Sequence, residues 1–133
     1  MEAIRAGEVE PPPAARLLGL EVLEVGDGTI TFGFDAEDRF SNYETTHGGV
    51  LAAVCDFAVS TAAWSVLPAE SDVRTSNLAL TYLRPVPLGA RYRCVGEVVH
   101  RGRTLVHVVA ALLDEGDRPL VRATATCHVR TRR

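Results

Sequence analysis

Apolar and polar residues alternate with a period of two along most of this chain, and the pattern changes to a helical one only once. Thr29 to Asp35 sets Ile30, Phe32 and Phe34 on one face, and Gly26-Asp27-Gly28 joins it to Glu21 to Val25, which predicts a hairpin. Four further strands are predicted in the second half. Val73 to Leu83 alternates Leu78, Leu80 and Tyr82 against Thr75, Asn77, Ala79 and Thr81, and the stretch from Arg84 to Gly89 ends it. Tyr92 to Arg101 and Thr104 to Asp114 turn at Gly102. Leu120 to Arg130 sets Val121, Ala123, Ala125, Cys127 and Val129 against Arg122, Thr124, Thr126, His128 and Arg130, a strand with one buried and one wet face. At the start, residues 1 to 10 read as a frayed polar tail, and Pro11-Pro12-Pro13 leads into a short helix over Ala14 to Leu18 that Gly19 stops. A charged turn follows the hairpin at Ala36 to Arg39.

The exception is Asn42 to Val66, a polar loop followed by about five turns of alanine-rich helix that start at His47-Gly48-Gly49 and end before Pro68. On a helical wheel Asp56 falls within roughly 60° of Gly49, Ala52, Ala53, Ser60 and Ala63, while Val50, Leu51, Val54, Phe57, Thr61 and Trp64 gather on the far side. The bulky face is expected in the core. The small-residue face leaves room for a ligand or a second backbone, and Asp56 is its one group capable of acid, base or nucleophile chemistry. A lone helical Asp is ordinarily a solvated surface residue, but no other charge stands between Glu44 and Glu70 to make a polar face around it. A carboxylate in such a segment needs a partner or a pocket, because burying it unpaired costs several kcal/mol or shifts its pKa.

These elements make one α+β domain over residues 1–133: two strands, one long helix and then four strands in antiparallel meander style, together a six-stranded antiparallel sheet curled around the helix. A sheet edge and the small-residue helix face are left over, which points to a homo-oligomer. The net charge of -3 leaves no electrostatic footprint for nucleic acid. Thr45 to Ala69 has the length of a membrane span, yet it carries Asp56, two glycines and several Ser and Thr between strand-like flanks, so no membrane helix is expected. The N-terminus lacks the apolar segment of a signal peptide. Cys55, Cys94 and Cys127 are odd in number and lie among apolar neighbours without metal-ligand spacing, as buried thiols of a cytoplasmic protein would.

The stretch from His47 to Asp56 resembles the hotdog-fold acyl-CoA thioesterases, in particular their PaaI-type branch. His-Gly-Gly opens the helix, an acidic residue follows nine positions after the His, Leu80 to Pro85 is similar to the strand after the helix, and Arg101-Gly102-Arg103-Thr104 to a later hairpin. The resemblance implies a hotdog fold, a curved antiparallel sheet wrapped around one long central helix, and a dimer or a tetramer made as a dimer of dimers. It implies an acyl-CoA substrate, with coenzyme A entering only as part of it and no metal or other cofactor. Asp56 is then the nucleophile or general base, Gly48 offers its backbone N–H to the thioester carbonyl, His47 braces the loop, and Thr75 holds the attacking water. The family's loop Asn lies six positions before the His. Asn42 lies five before His47, so Asn42 and Ser41 both remain candidates for that position. Gly49, Tyr82, Arg101 and Arg103 are expected near the substrate, the arginines at the phosphates of coenzyme A.

Plainer readings stand beside these. His47 can cap the helix through its ring, the glycines can serve tight packing, Thr75 is a common strand residue, and the arginines, with Arg130, Arg132 and Arg133, can be solvated charges. His100, His107 and His128 have no acidic or Cys neighbours at ligand spacing and read as surface or core residues. Two other functions compete with hydrolysis. A hydratase or dehydratase of the same fold is expected to carry a His-Phe-Pro-Gly type loop or a separate Asp-to-His pair, and neither is present. A non-catalytic acyl-CoA-binding module would keep the pocket and lose the chemistry, which the retention of Asp56 opposes.

Overall fold

A computed structural model of the chain describes residues 10–131; the expected fraying of residues 1 to 10 falls, apart from Glu10, outside the described residues, as do Arg132 and Arg133. The elements run α1 (Pro13–Leu17), β1 (Glu21–Gly26), β2 (Thr29–Asp35), a 3-10 turn (Asp38–Phe40), α2 (Gly48–Ser65), β3 (Ser71–Tyr82), β4 (Arg91–Arg101), β5 (Leu105–Leu113) and β6 (Pro119–Thr131). All pairings in the six-stranded sheet are antiparallel. The curved sheet wraps one long helix, as the resemblance implies.

The strand order is β1-β2-β4-β5-β6-β3, which corrects the expected meander. Only β4, β5 and β6 run as a meander. The helix carries the chain across the concave side of the sheet, so β3 pairs with β6 at the far edge, and the segment between Tyr82 and Arg91 returns the chain to β2. Alternation within a strand fixes its faces and says nothing about its neighbours, which is why the order was not legible. The faces agree with expectation: Ile30, Phe32 and Phe34 are buried, and Val121, Ala123, Ala125 and Cys127 are buried while Arg122, Thr124 and His128 are exposed.

The helix is rotated relative to the expected packing. Leu51, Val54, Cys55, Ala58, Val59, Ala62 and Ala63 are its buried residues, whereas Val50, Phe57, Thr61 and Trp64, expected in the core, are only half-buried. The curl of the sheet explains this. At Gly96 of β4 the two backbones approach so closely that a Cβ there would lie 2.4 Å from the Ala58 carbonyl oxygen. A helix pressed that closely onto a sheet needs small residues at the line of contact, and close packing is where most of its stability arises. By length and composition α2 is apolar enough to cross a membrane; here its apolar residues serve this contact.

Candidate active site

The first turn of α2 is built by its loop. Ser41 and Thr46 form an isolated bridge, the Asn42 N–H donates to Thr45 O, and Thr45 Oγ1 donates to Asn42 Oδ1. The Asn42 side chain therefore holds the turn. The His47 N–H donates to Phe40 O, anchoring the end of the loop to a buried aromatic. Past this anchor His47 is the N-cap: its Nδ1 accepts the Gly49 N–H at 2.9 Å, one of the donors a helix start leaves unpaired. The capping role weighed for His47 is the one its ring performs. The Gly48 N–H has no acceptor among the described residues, and as a free donor at the helix N-terminus it is part of the positive end of the dipole. Tyr82, at the end of β3, donates its hydroxyl to Gly48 O at 2.7 Å.

Two turns further along, half-buried Asp56 accepts a 2.6 Å hydrogen bond on Oδ1 from Thr75 Oγ1. Strict alternation had set Thr75 on the face opposite Leu78. A bulge between Thr75 and Asn77 in the pairing of β3 with β6 corrects this: Ser76 is the extra residue, its hydroxyl donates to Thr126 O, and Thr75 turns toward the helix together with Leu78 and Leu80. Thr75 commits its one proton to Asp56, so toward a water it can only accept. Directly opposite Thr75 in the register stands buried Cys127, whose thiol is pushed above its usual range by burial, with the Asp56 carboxylate adding to the shift.

A groove of about 340 Å³ runs along the following turns of α2, lined there by Phe57, Ser60, Thr61 and Trp64, from β3 by Ser71, Asp72 and Val73, and on the other side by Leu20, Val22 and Phe32; neither Asp56 nor Thr75 lines it. Phe57 and Trp64 line this groove, Phe57 with one side still packed against the core. Their helical spacing matched a core face equally well, so the sequence offered no signal to separate the two. A second hollow, about 350 Å³, lies at the helix start between Thr46, Gly48, Tyr82 and Val86. Gly48 and Asp56 are eight residues apart in one helix, about 12 Å along its axis. One small carbonyl group cannot touch both in a single chain.

Other expected site residues are not drawn in. Arg101 and Arg103 are exposed at the β4–β5 hairpin, and their side chains have no hydrogen bond or ion pair among the described residues. That hairpin continues from Val98, whose N–H donates to Gly28 O, and Gly28 in turn donates to Ser65 Oγ; it lies toward the opposite end of α2 from Gly48. His100, His107 and His128 are exposed, the first two with ring centroids 6.0 Å apart, and no metal-holding cluster occurs among the described residues. The three cysteines are buried and unpaired, as expected.

In sequence, the model of the thioesterase superfamily matches residues 43–121 of this chain. No curated protein matches it. In structure it is similar to a phenylacetic acid degradation-related protein from Ralstonia eutropha JMP134, with a TM-score of 0.87 and 29% identity over 96% of this chain and 97% of the other. The E. coli PaaI protein from the phenylacetic acid degradation operon shares its fold at a TM-score of 0.84 and 18% identity, over 96% and 90%. So does smu.793 from Streptococcus mutans UA159, solved bound to acetyl CoA, at a TM-score of 0.78 and 23% identity, over 86% and 90%.

Proposed function

From the premise that this chain belongs to the thioesterase superfamily, we propose that it hydrolyses an acyl-CoA thioester to the free acid and coenzyme A. Asp56 is the general base and the Gly48 N–H the donor to the carbonyl. The observation that carries this reading is the 2.6 Å bond from Thr75 to half-buried Asp56. It holds one carboxylate oxygen and leaves Oδ2, with the lone pairs of Thr75, to seat a water. That water attacks the carbonyl carbon while its proton passes to Asp56; negative charge develops on the carbonyl oxygen and is met by Gly48 N–H. The C–S bond then breaks and the leaving thiolate takes the proton back. The likeness to an acetyl CoA-bound protein supports the substrate class. Carboxylate, amide donor and water complete the chemistry without a further cofactor.

The reading needs two copies, because Gly48 and Asp56 of one chain cannot meet on one carbonyl. We propose a homodimer in which Gly48 of one copy faces Asp56 of the other, with a tetramer as a pair of such dimers; the long β3 edge supports further pairing. A cytoplasmic setting fits the three unpaired thiols.

Thiol release from a panel of acyl-CoAs tests the activity, and a flat signal with measurable binding would leave a non-catalytic binding module instead. The shared site is tested with Gly48→Pro. Position 48 is the first helical residue, where proline is tolerated, and His47 is already extended, as a residue before proline must be, so the change removes the N–H, while the added Cβ, 3.3 Å from the Tyr82 ring, asks only a small outward shift of an exposed side chain. Gly48→Pro and Asp56→Asn should each be nearly inactive, and mixing them through reversible unfolding should restore about a quarter of the activity if sites are shared across a two-fold axis. No recovery on mixing would confine each site to one chain.

A further inference from the structure

We infer that Tyr82 and His47 clamp the Gly48–Gly49 peptide and thereby aim the Gly48 N–H, so that Tyr82 is a positioning residue for the donor to the carbonyl. This rests on the reading of Gly48 given above. The Tyr82 hydroxyl donates to Gly48 O at 2.7 Å, and the Gly49 N–H donates to His47 Nδ1 at 2.9 Å. These two atoms are the opposite ends of one planar peptide unit. The preceding peptide is held on its carbonyl side, where His47 O accepts from the Val50 and Leu51 N–H groups. With both planes fixed, the one remaining free amide of the turn, Gly48 N–H, points outward in a set direction.

The sequence shows why a clamp is needed. Two consecutive glycines lose more conformational freedom on ordering than any other pair, and a helix start frays most easily. A glycine at position 48 lets the Tyr82 ring sit close over the turn, because a Cβ there would lie 3.3 Å from the ring and hydroxyl and would push them outward by a few tenths of an ångström. Loose backbone and seated ring therefore come together. Tyr82 is 51% exposed, so water could satisfy its hydroxyl as well as Gly48 does. The bond adds little to stability. What it adds is orientation, linking the far edge strand to the helix start across 34 residues of chain.

Tyr82→Phe tests this, since it keeps the ring over Gly48 and removes only the hydroxyl. The expected result is a kcat about five- to tenfold lower with KM unchanged, together with faster hydrogen exchange at the Gly49 amide. His47→Ala should have the same effect, and His47→Asn, whose side-chain oxygen can still accept at the N-cap, should restore both readouts. A raised KM with kcat intact would make Tyr82 a substrate contact and overturn the inference, as would unchanged exchange at Gly49. Absence of turnover in the wild type would sink the thioesterase reading; that failure is told apart from failure of the clamp because exchange is measured on the same samples without substrate.

Discussion

The two sides of α2 set stability and chemistry apart within 18 residues. Toward the sheet, Cys55, Ala58 and Ala62 have no exposed surface, and the helix backbone reaches van der Waals limits against Gly96. On the other side Asp56, Phe57, Ser60 and Trp64 are only half-buried, beside a groove. The first side tolerates no added atom. The second keeps open space and one carboxylate that nothing in the packing requires. A helix can carry both because the sheet needs only about half of its circumference, and the difference teaches that smallness here marks the buried line of contact, while larger side chains border the open site.

Asp56→Asn should show the largest effect. The amide can still accept from Thr75, so the fold and the oligomer mass should persist, while kcat falls by about 10² to 10⁴, the range a positioned general base supplies. Near-normal turnover, or loss of assembly, would end the division of labour between the two sides. Gly96→Ala is the matching attack on the buried side. Its Cβ meets Ala58 O at 2.4 Å, so the helix must lift from the sheet at a cost of about 1–3 kcal/mol in denaturant titration. An unchanged midpoint would mean that the contact is looser than the backbone approach shows.

Thr75→Val sharpens the comparison at the seam between the two sides. It keeps the shape of the strand residue and removes the bond to Asp56. A kcat lowered about tenfold is expected, together with a loss of about 1–3 kcal/mol in stability, because the half-buried carboxylate loses its hydrogen-bond donor; turnover and stability both unchanged would remove Thr75 from the site.

The smallest effect concerns the thiols. Cys94 is raised well above the usual thiol range, first by its hydrogen bond with Cys55 and then by burial, and Cys127 is raised by burial. In the unfolded chain these thiols ionise above about pH 9, while in the folded protein they stay protonated, so the folded state holds more protons. Stability is therefore intact below that pH and declines as pH rises beyond it, by at most about 1.4 kcal/mol per pH unit for each thiol. Cys94→Ala should flatten the decline seen in thermal melts; an equally steep decline would assign it to other groups.

The sequence by itself determined what depends on neighbours a few residues apart. Alternation marked all six strands to within about two residues, Gly26-Asp27-Gly28 and Gly102 marked the hairpins, and the change of period at His47 marked the helix. The spacing of His47, Gly48 and Asp56 marked the candidate site, and the single uncompensated charge in an apolar helix singled out Asp56. Only the tertiary structure decided the rest. That β3 lies beside β6, that the helix turns Ala58 toward Gly96 and Trp64 toward the groove, and that Tyr82 reaches Gly48 are relations between distant segments, which no local period encodes. Thr75 shows the limit most sharply. One extra residue at Ser76 reverses the face of everything before it, because a strand's side chains repeat every two residues, and that bulge is fixed by pairing with β6.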